Sequence, residues 1–344
     1  MKNKMKKWFV LGFSCAFLFG GCSNNQLEET QNTVVTEKSI AFPGDMYNEG
    51  YVIEEAFSEQ MIPLASSPVY KTTMYVPEAS GAIVYGGNSK SKGVTIDASN
   101  TMDGYVMIKC DNGSDKKLKV IIAGPSGVKY TYNLNNAGNY ETFILSDGDG
   151  SYNIGVYQNV EGTKYSTLFS QKLNVKLIDQ FAPFLCPNQY VNYTADSQTV
   201  KLTAHLTNGM TDDLEKVQAV YNYVVNNITY DKQKAQTVQS GYLPVVDEVL
   251  REKKGICFDY AALMTSMLRS QNIPTKLVTG YTGSAYHAWI STYTAETGWI
   301  EGIIFFDGVS WKLMDPTFAS SSNSSDAIMK YIGDGKNYTE KYLY

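Results

Sequence analysis

Three residues in the C-terminal half have the types and the order that cysteine acyl chemistry requires. Cys257 lies in Gly-Ile-Cys-Phe-Asp-Tyr, His287 in His-Ala-Trp, and Asp315 in Asp-Pro-Thr. Such chemistry needs a nucleophile, a base that takes its proton, and a group that orients the base. The chain has only two histidines, so His205 is the one other candidate for the base.

The sequence around Cys257 predicts a helix that begins next to the thiol. From Ile256 to Gln271, apolar residues recur at helical spacing and would form one buried face. These residues are Tyr260, Leu263, Met264, Met267 and Leu268. Gly255 gives the chain a sharp entry into this helix. Cys257 would therefore lie in the first turn, where free backbone N–H groups and the helix dipole favour a thiolate.

The segment after this helix is rich in β-forming residues. The predicted strands are Lys276–Tyr281, His287–Tyr293, Ile300–Phe306 and Trp311–Met314. Asp307-Gly308 predicts a hairpin between the last two. His287 would open one strand and Asp315 would close another. Neighbouring strands of one sheet could therefore bring the imidazole beside both the acid and the helix end.

Taken in order, these motifs resemble the transglutaminase-like core, a relative of the papain-like cysteine proteases. The matching pieces are Gly-x-Cys-x-Asp-Tyr, Leu-Arg-x-x-x-Ile-Pro, Gly-Tyr at 280–281, His-Ala-Trp and Asp-Pro-Thr, between about residues 200 and 320. The resemblance implies an α+β fold with the cysteine helix packed on an antiparallel sheet. It also implies that Cys257 is the nucleophile, His287 the general base and Asp315 the acid that orients it.

The sequence departs from animal transglutaminases at the expected oxyanion site. Those enzymes place a tryptophan upstream of the cysteine, whereas the only upstream tryptophan here is Trp8. Tyr230, in Ile-Thr-Tyr-Asp, is a candidate substitute, and the Cys257 backbone N–H would be the other donor. Asp259 is expected to be structural, and Arg269 to lie in an ion pair or at the surface.

Each triad residue also has a non-catalytic interpretation. A single cysteine in a helix is often a small buried apolar residue, and Asp-Pro often marks a turn. A histidine beside Ala and Trp often simply packs against its neighbours. The alternative function is therefore a non-catalytic cell-surface binding module on a transglutaminase-like fold. A missing triad residue would mark that alternative, and all three residue types are present.

The N-terminus has the features of an exported lipoprotein. Residues 1–21 join a lysine-rich start to the apolar run Trp8–Gly21, which is too short to remain as a spanning helix. The run ends in Leu-Phe-Gly-Gly before Cys22, which resembles a bacterial lipoprotein signal. We expect lipidation of Cys22 and a flexible tether over residues 22–45. An ordinary secretory signal with an incidental cysteine is the alternative.

Between residues 80 and 178 the apolar period changes to two. Turn signals such as Asp111-Asn112-Gly113 and Gly124-Pro125-Ser126-Gly127 separate the runs. This pattern predicts an all-β, immunoglobulin-like sandwich. The resemblance implies that the α+β transglutaminase-like/papain-like domain follows it, over residues 190–344. The predicted strands are 105–108, 118–122, 130–134, 140–145, 151–157 and 173–177.

Composition and cysteine usage limit the partners, metals and disulfides that the chain could have. The formal charge is −5 and the charged residues are spread along the chain, so no basic patch indicates a nucleic acid partner. No Cys or His cluster has the spacing of a zinc site, and neither a metal nor a cofactor is expected. Besides Cys257, the mature protein would keep Cys110 and Cys186, and the sequence leaves open whether they pair.

These observations predict a cysteine acyl-transfer enzyme, lipid-anchored on the extracellular face of a bacterial cell membrane. The thiolate would attack an amide bond and form a thioester. Water would then complete a peptidase or amidase reaction, and an amine would complete transamidation. The sequence does not decide between these acceptors. Proteins or peptides, cell-wall peptides among them, are the substrates that this location favours.

Overall fold

A computed structural model of the protein describes residues 35–36, 74–301, 304–306, 311–313 and 338–344. The predicted signal over residues 1–21, the lipidation site Cys22 and the triad candidate Asp315 lie outside these residues. Within the described ranges, no helix is both long enough and apolar enough to cross a membrane.

The first part of the chain is built from antiparallel strands. One sheet has the order β1-β9-β8-β5-β6 and the other has the order β2-β3-β4-β7. The strands are β1 Val35–Thr36, β2 Val84–Gly86, β3 Val94–Asp97, β4 Tyr105–Cys110, β5 Leu118–Ala123, β6 Lys129–Leu134, β7 Glu141–Ile144, β8 Gly150–Glu161 and β9 Lys164–Val175.

The alternating pattern of the sequence explains how the two sheets pack. In β5, Leu118, Val120 and Ile122 are buried while the residues between them are partly exposed. They join one apolar core with buried residues of the other sheet. The rings of Tyr132 on β6 and Phe143 on β7 meet edge to face across that core, with centroids 5.2 Å apart.

The sequence placed strands at 151–157 and 173–177 but missed how far they extend. They belong to the long hairpin of β8 and β9, whose twelve-residue strands pair along most of their length. Much of β9 is polar, as at Ser166, Thr167 and Ser170, so the apolar alternation is weak there. Cross-strand pairing rather than apolar period defines this hairpin.

The second part of the chain mixes helices with sheet, as predicted. The helices are α1 Gln198–Leu206, α2 Asp213–Asn227, α3 Lys232–Thr237, α4 Val246–Glu252 and α5 Cys257–Ser270. The strands are β10 Thr229–Tyr230, β11 Lys254–Gly255, β12 Thr275–Thr282, β13 Ala285–Thr294, β14 Gly298–Glu301, β15 Ile304–Phe306, β16 Trp311–Leu313 and β17 Tyr338–Leu343. An antiparallel sheet has the order β14-β13-β12-β17, β15 pairs with β16, and β10 runs parallel to β11.

The helix that carries Cys257 is the centre of this part. All residues of α5 are buried, because α1, α2 and α4 pack against it and β12 and β13 also contact it. The sequence predicts one buried face for α5, whereas the whole circumference of the helix is buried. The two serines accommodate burial by bonding back to their own helix: Ser266 Oγ donates to Leu263 O at 2.8 Å, and Ser270 Oγ donates to Met267 O at 2.6 Å.

The expectation that Arg269 lies at the surface or in an ion pair is wrong. Its side chain is completely buried near the end of α5 and donates to three backbone oxygens. Nε lies 2.8 Å from Thr275 O, and the two terminal nitrogens lie 2.5 Å from Cys186 O and 2.7 Å from Tyr344 O. Burial lowers the pKa of Arg269 to about 10. Arg269 thus joins α5 to β12, to the connector after β9 and to the residue that follows β17.

Aromatic side chains continue the core from the first part into the second. Tyr344 is buried, and its ring lies 5.8 Å from those of both Tyr130 and Tyr132 and 4.3 Å from that of Tyr190. The Tyr190 hydroxyl donates to Thr131 O at 3.2 Å. The β-strands of the first part therefore support the second part directly.

The structure leaves the thiols of Cys110 and Cys186 free. Cys110 ends β4, whereas Cys186 lies in the connector and packs with Tyr105 and Ile144. Burial raises the pKa of both thiols, that of Cys186 to about 12. Neither thiol is therefore readily ionised near neutral pH.

Candidate active site

Cys257 is the first residue of α5, and only 6% of it is exposed. The residue before it, Ile256, has extended backbone and occupies the N-cap position, where Ser, Thr, Asp or Asn are usual. An isoleucine side chain offers no acceptor to the N–H groups of the first turn. The N-cap side chain therefore does not occupy the N–H groups of the first turn. These groups could bind an anion at the helix start.

Asp259 holds the backbone just before Cys257. Its carboxylate is completely buried, and Oδ2 accepts a hydrogen bond from the Ile256 N–H at 2.8 Å. A Cβ atom on Gly255 would lie only 2.6 Å from the Asp259 Cβ, so only glycine leaves space for the carboxylate to turn back. Tyr260 anchors the next position by donating to Ile228 O at 2.7 Å. These contacts explain the spacing Gly-x-Cys-x-Asp-Tyr and confirm the structural role expected for Asp259.

We expect Gly255→Ala to destabilise the fold by roughly 1–3 kcal/mol, because the added methyl group overlaps the Asp259 side chain. Chemical denaturation of the purified protein measures this loss. In the double variant with Asp259→Gly, which removes that Cβ atom, the overlap disappears, so the two effects should sum to more than the double variant loses. Additive losses would contradict the steric explanation.

His287 lies on β13, which packs against α5, and 4% of the residue is exposed. Opposite it on β12 is Gly280, where a Cβ atom would come within 2.0 Å of Thr339 O on β17 and 2.9 Å of the Trp289 ring. The His287 ring lies 6.2 Å from the Trp289 ring, nearly parallel to it, and 6.4 Å from Tyr338. The Gly-Tyr and His-Ala-Trp motifs therefore belong to one closely packed set of strands.

Tyr286, the residue before His287, has a partly buried side chain. Burial raises the pKa of Tyr286 to about 12, and the charges of Tyr342, Tyr281 and Cys257 act in the same direction. Its hydroxyl donates to Thr279 Oγ1 at 2.9 Å. The phenol therefore stays protonated near neutral pH.

The other predicted site residues are placed as follows. Tyr230 is half-buried on β10 and pairs in parallel with Gly255, so it lies beside the strand that leads to Cys257. His205 is exposed near the end of α1. Asp315 follows β16 but lies outside the described residues. The structure thus brings α5, β10–β11 and β13 together, while the acid of the predicted triad stays a prediction.

Sequence reasoning missed two side chains at this site. Lys234 Nζ and Tyr242 Oη approach the Asp259 carboxylate at 2.7 and 2.5 Å, on Oδ2 and Oδ1 respectively. Lys234 lies in the six-residue helix α3, and Tyr242 lies in the loop between α3 and α4. Neither segment has an apolar period, so only the tertiary structure reveals them.

The described residues offer no ready metal site. Over these ranges, no group of three or more His, Cys, Asp or Glu side chains is arranged to hold a metal ion. The chemistry that the site can support on its own residues is nucleophilic attack by a thiol at a helix start, with an imidazole on the adjoining sheet.

Comparison with known proteins places one family model over this site. The model of the transglutaminase-like superfamily matches residues 200–302. The uncharacterized protein YebA of Bacillus subtilis (strain 168) is 30% identical over an alignment of 119 residues, and the match covers 29% of this chain and 16% of YebA. The kyphoscoliosis peptidase of Mus musculus is 26% identical over an alignment of 160 residues, and the match covers 45% of this chain and 22% of the peptidase.

Among solved structures, red sea bream transglutaminase aligns with a TM-score of 0.30 and 13% identity, covering 64% of this chain and 48% of that one. The chain spans about a fifth of the length of the two curated relatives described above. The matched segment contains the cysteine helix and the histidine strand, and it ends before Asp315. Residues 200–302 of this chain therefore form a domain of the transglutaminase-like superfamily.

Proposed function

We propose that this chain is an exported, lipid-anchored cysteine acyl-transfer enzyme that acts on amide bonds through Cys257, His287 and Asp315. The observation that carries the proposal is the position of Cys257 at the first residue of α5, with the strand of His287 packed against that helix. A helix start favours the thiolate, and a neighbouring imidazole can take the thiol proton.

The reaction would proceed in two steps. The Cys257 thiolate attacks the amide carbonyl, and the bond to nitrogen breaks as the amine leaves with the proton from His287. The oxyanion would be held by the Cys257 backbone N–H and by Tyr230, which pairs beside Gly255. Water or a second amine then attacks the thioester, releases the acyl group and restores the thiol.

We infer that hydrolysis is the more natural outcome. The mouse relative is named a peptidase, and this name supports a peptidase or amidase reaction for the matched domain. Transamidation stays the second outcome, with an amine in place of water. A screen of glutamine donors, amines and peptides, run with wild type and Cys257→Ala, tests both. Products that form equally with both proteins, or with neither, would instead favour a non-catalytic binding module.

The proposed location follows from the N-terminal sequence. Cleavage before Cys22 and lipidation would hold the mature protein at the extracellular face of a bacterial cell membrane. Protein or peptide substrates, including cell-wall peptides, would be within reach there. For residues 80–178 we propose an immunoglobulin-like sandwich, supported by the two antiparallel sheets that share a core. Residues 35–36 fall within the range predicted to be a flexible tether, but as β1 they pair with β9 of this sandwich.

We expect wild type to fractionate with membranes and to incorporate a labelled fatty acid, whereas Cys22→Ser should do neither. The reason is that the acyl chains attach through the Cys22 thiol, and each buried CH₂ group adds about 0.8 kcal/mol of membrane affinity. Cys15→Ser is the matched control, because Cys15 lies in the segment that cleavage removes. Equal labelling of wild type and Cys22→Ser would contradict the anchor.

A further inference from the structure

The carboxylate of Asp259 is unusual among the acidic groups of the described residues. It is completely buried, yet it forms an ion pair with Lys234 Nζ at 2.7 Å. The acid of every other ion pair found in that part of the chain is at least 18% exposed. The Lys234 side chain is 31% exposed, but the carboxylate itself is costly to desolvate, so net stability alone is a weak explanation for placing it there.

The contacts of Asp259 act on the peptide unit that leads into Cys257. Asp259 Oδ2 accepts from Ile256 N at 2.8 Å, and Gly255 O accepts from the Asp231 N–H at 2.8 Å. The peptide between Gly255 and Ile256 is thus held through both its N–H and its C=O. The next carbonyl, Ile256 O, accepts from Tyr260 N at 3.0 Å. The backbone therefore enters the nucleophile in one fixed orientation.

Two side chains from outside α5 complete this arrangement. Tyr242 Oη donates to Asp259 Oδ1 at 2.5 Å, and Lys234 Nζ lies 2.6 Å from the same hydroxyl and 4.4 Å from the ring centroid. Burial and the charge of Asp259 raise the pKa of Tyr242, so the phenol remains a donor. The Tyr242 ring also packs edge to face on Phe258, the residue after Cys257, with centroids 6.4 Å apart.

We propose that Lys234, Tyr242 and Asp259, the Asp259 cluster, position the nucleophile of the proposed acyl-transfer reaction. None of them needs to touch the substrate. They fix the backbone from Gly255 to Cys257, so that the thiol and the first-turn N–H groups converge on one carbonyl group. The inference rests on the proposed function, and it assigns the cluster a role that stability alone does not explain.

The test compares Lys234→Met and Tyr242→Phe with matched controls. Lys254→Met removes a lysine whose Nζ lies 3.4 Å from Asp231 at the same junction, and Tyr223→Phe removes a half-buried phenol from α2. The first readout is the rate at which iodoacetamide alkylates Cys257, with the modified peptide identified by mass spectrometry. The second is kcat and KM separately, on a substrate found in the screen.

Both cluster variants should alkylate about tenfold more slowly and lose kcat in proportion, with KM little changed, because small misplacements of reacting groups are costly. Lys234→Arg, which keeps the cation, should recover most of the loss. Lys254→Met and Tyr223→Phe should behave as wild type. Two cluster variants are used in case one of them fails to fold. Lys234→Met leaves the buried carboxylate without its cation, whereas Tyr242→Phe keeps that cation in place.

The outcomes separate this inference from the proposed function. If wild-type Cys257 reacts no faster than the same thiol in denaturant, the proposed function fails. If wild type reacts quickly and both cluster variants react equally quickly, the positioning role is overturned. The positioning role is also overturned if alkylation slows equally in the cluster variants and the controls and the melting temperature falls in each. That result would show only a general destabilisation of the fold.

Discussion

Replacing Cys257 by alanine is expected to abolish thioester formation and to lower turnover by roughly 10⁴-fold or more, as the loss of a catalytic nucleophile does. Cys257 is the thiol placed at a helix start beside β13, whereas Cys110 and Cys186 are buried elsewhere and resist ionisation. No other thiol in the described residues can therefore take its place. Cys110→Ala is the control that removes a thiol without touching the site.

His287→Ala is expected to remove most of the activity and to shift the pH profile of Cys257 alkylation to higher pH. An imidazolium beside the sulfur stabilises the thiolate, so its loss makes the thiol harder to ionise. The matched control is His205→Ala, since His205 is exposed on α1. Asp315→Ala should retain more activity than Cys257→Ala or His287→Ala. The proposed task of Asp315 is only to hold the imidazole in the right tautomer and orientation.

The measurement is the alkylation rate of Cys257 against pH in wild type, His287→Ala, Asp315→Ala and the two controls. Circular dichroism should show that all of them are folded. Should His287→Ala leave the pH profile where wild type has it, the two side chains are not paired. The chain would then be better described as a binding module on a transglutaminase-like fold.

Local signals in the sequence were sufficient to find α5 and β13, which carry Cys257 and His287. At the start of α2, the Asp212 side chain accepts from Glu215 N at 3.0 Å, a contact that an acid three residues before a glutamate favours at a helix start. The apolar period placed α5 to within a residue at each end. Helix starts and apolar periods depend on neighbours within one or two turns, and for this reason a single sequence can reveal them.

The features that the sequence could not reveal depend on distant partners. Arg269 follows a helical apolar pattern in which an arginine would normally face water, but its three acceptors come from positions 186, 275 and 344. Lys234 and Tyr242 lie 25 and 17 residues before Asp259, in segments without regular spacing. Such contacts exist only once the helices and both sheets have assembled.

Arg269→Met is expected to produce the largest loss of stability among the variants considered. Methionine fills much of the same volume but donates no hydrogen bond, so buried acceptors lose the guanidinium. Tyr344 O keeps the Leu277 N–H as a donor at 2.8 Å, so the main cost falls on Cys186 O and Thr275 O. At about 1–3 kcal/mol for each unsatisfied buried group, we expect a loss of about 2–5 kcal/mol.

This loss is large beside the 5–15 kcal/mol that typically separates folded from unfolded protein. The chain's other arginine supplies the control. Arg251 lies on α4, its side chain is 68% exposed, and its partners Glu248 and Glu252 are exposed as well. Arg251→Met should therefore change stability by no more than about 0.5 kcal/mol. Urea denaturation followed by fluorescence measures both.

Arg269→Met should lower the stability of the fold without changing the reactivity of Cys257. Arg269 and Cys257 lie near opposite ends of α5, and twelve residues of helix span about 18 Å. Well below the unfolding midpoint, Cys257 in Arg269→Met should therefore keep the alkylation rate of wild type. A loss of stability no larger than that of Arg251→Met would show that the three contacts of Arg269 contribute little. A loss of thiol reactivity without unfolding would instead mean that the two ends of α5 are coupled.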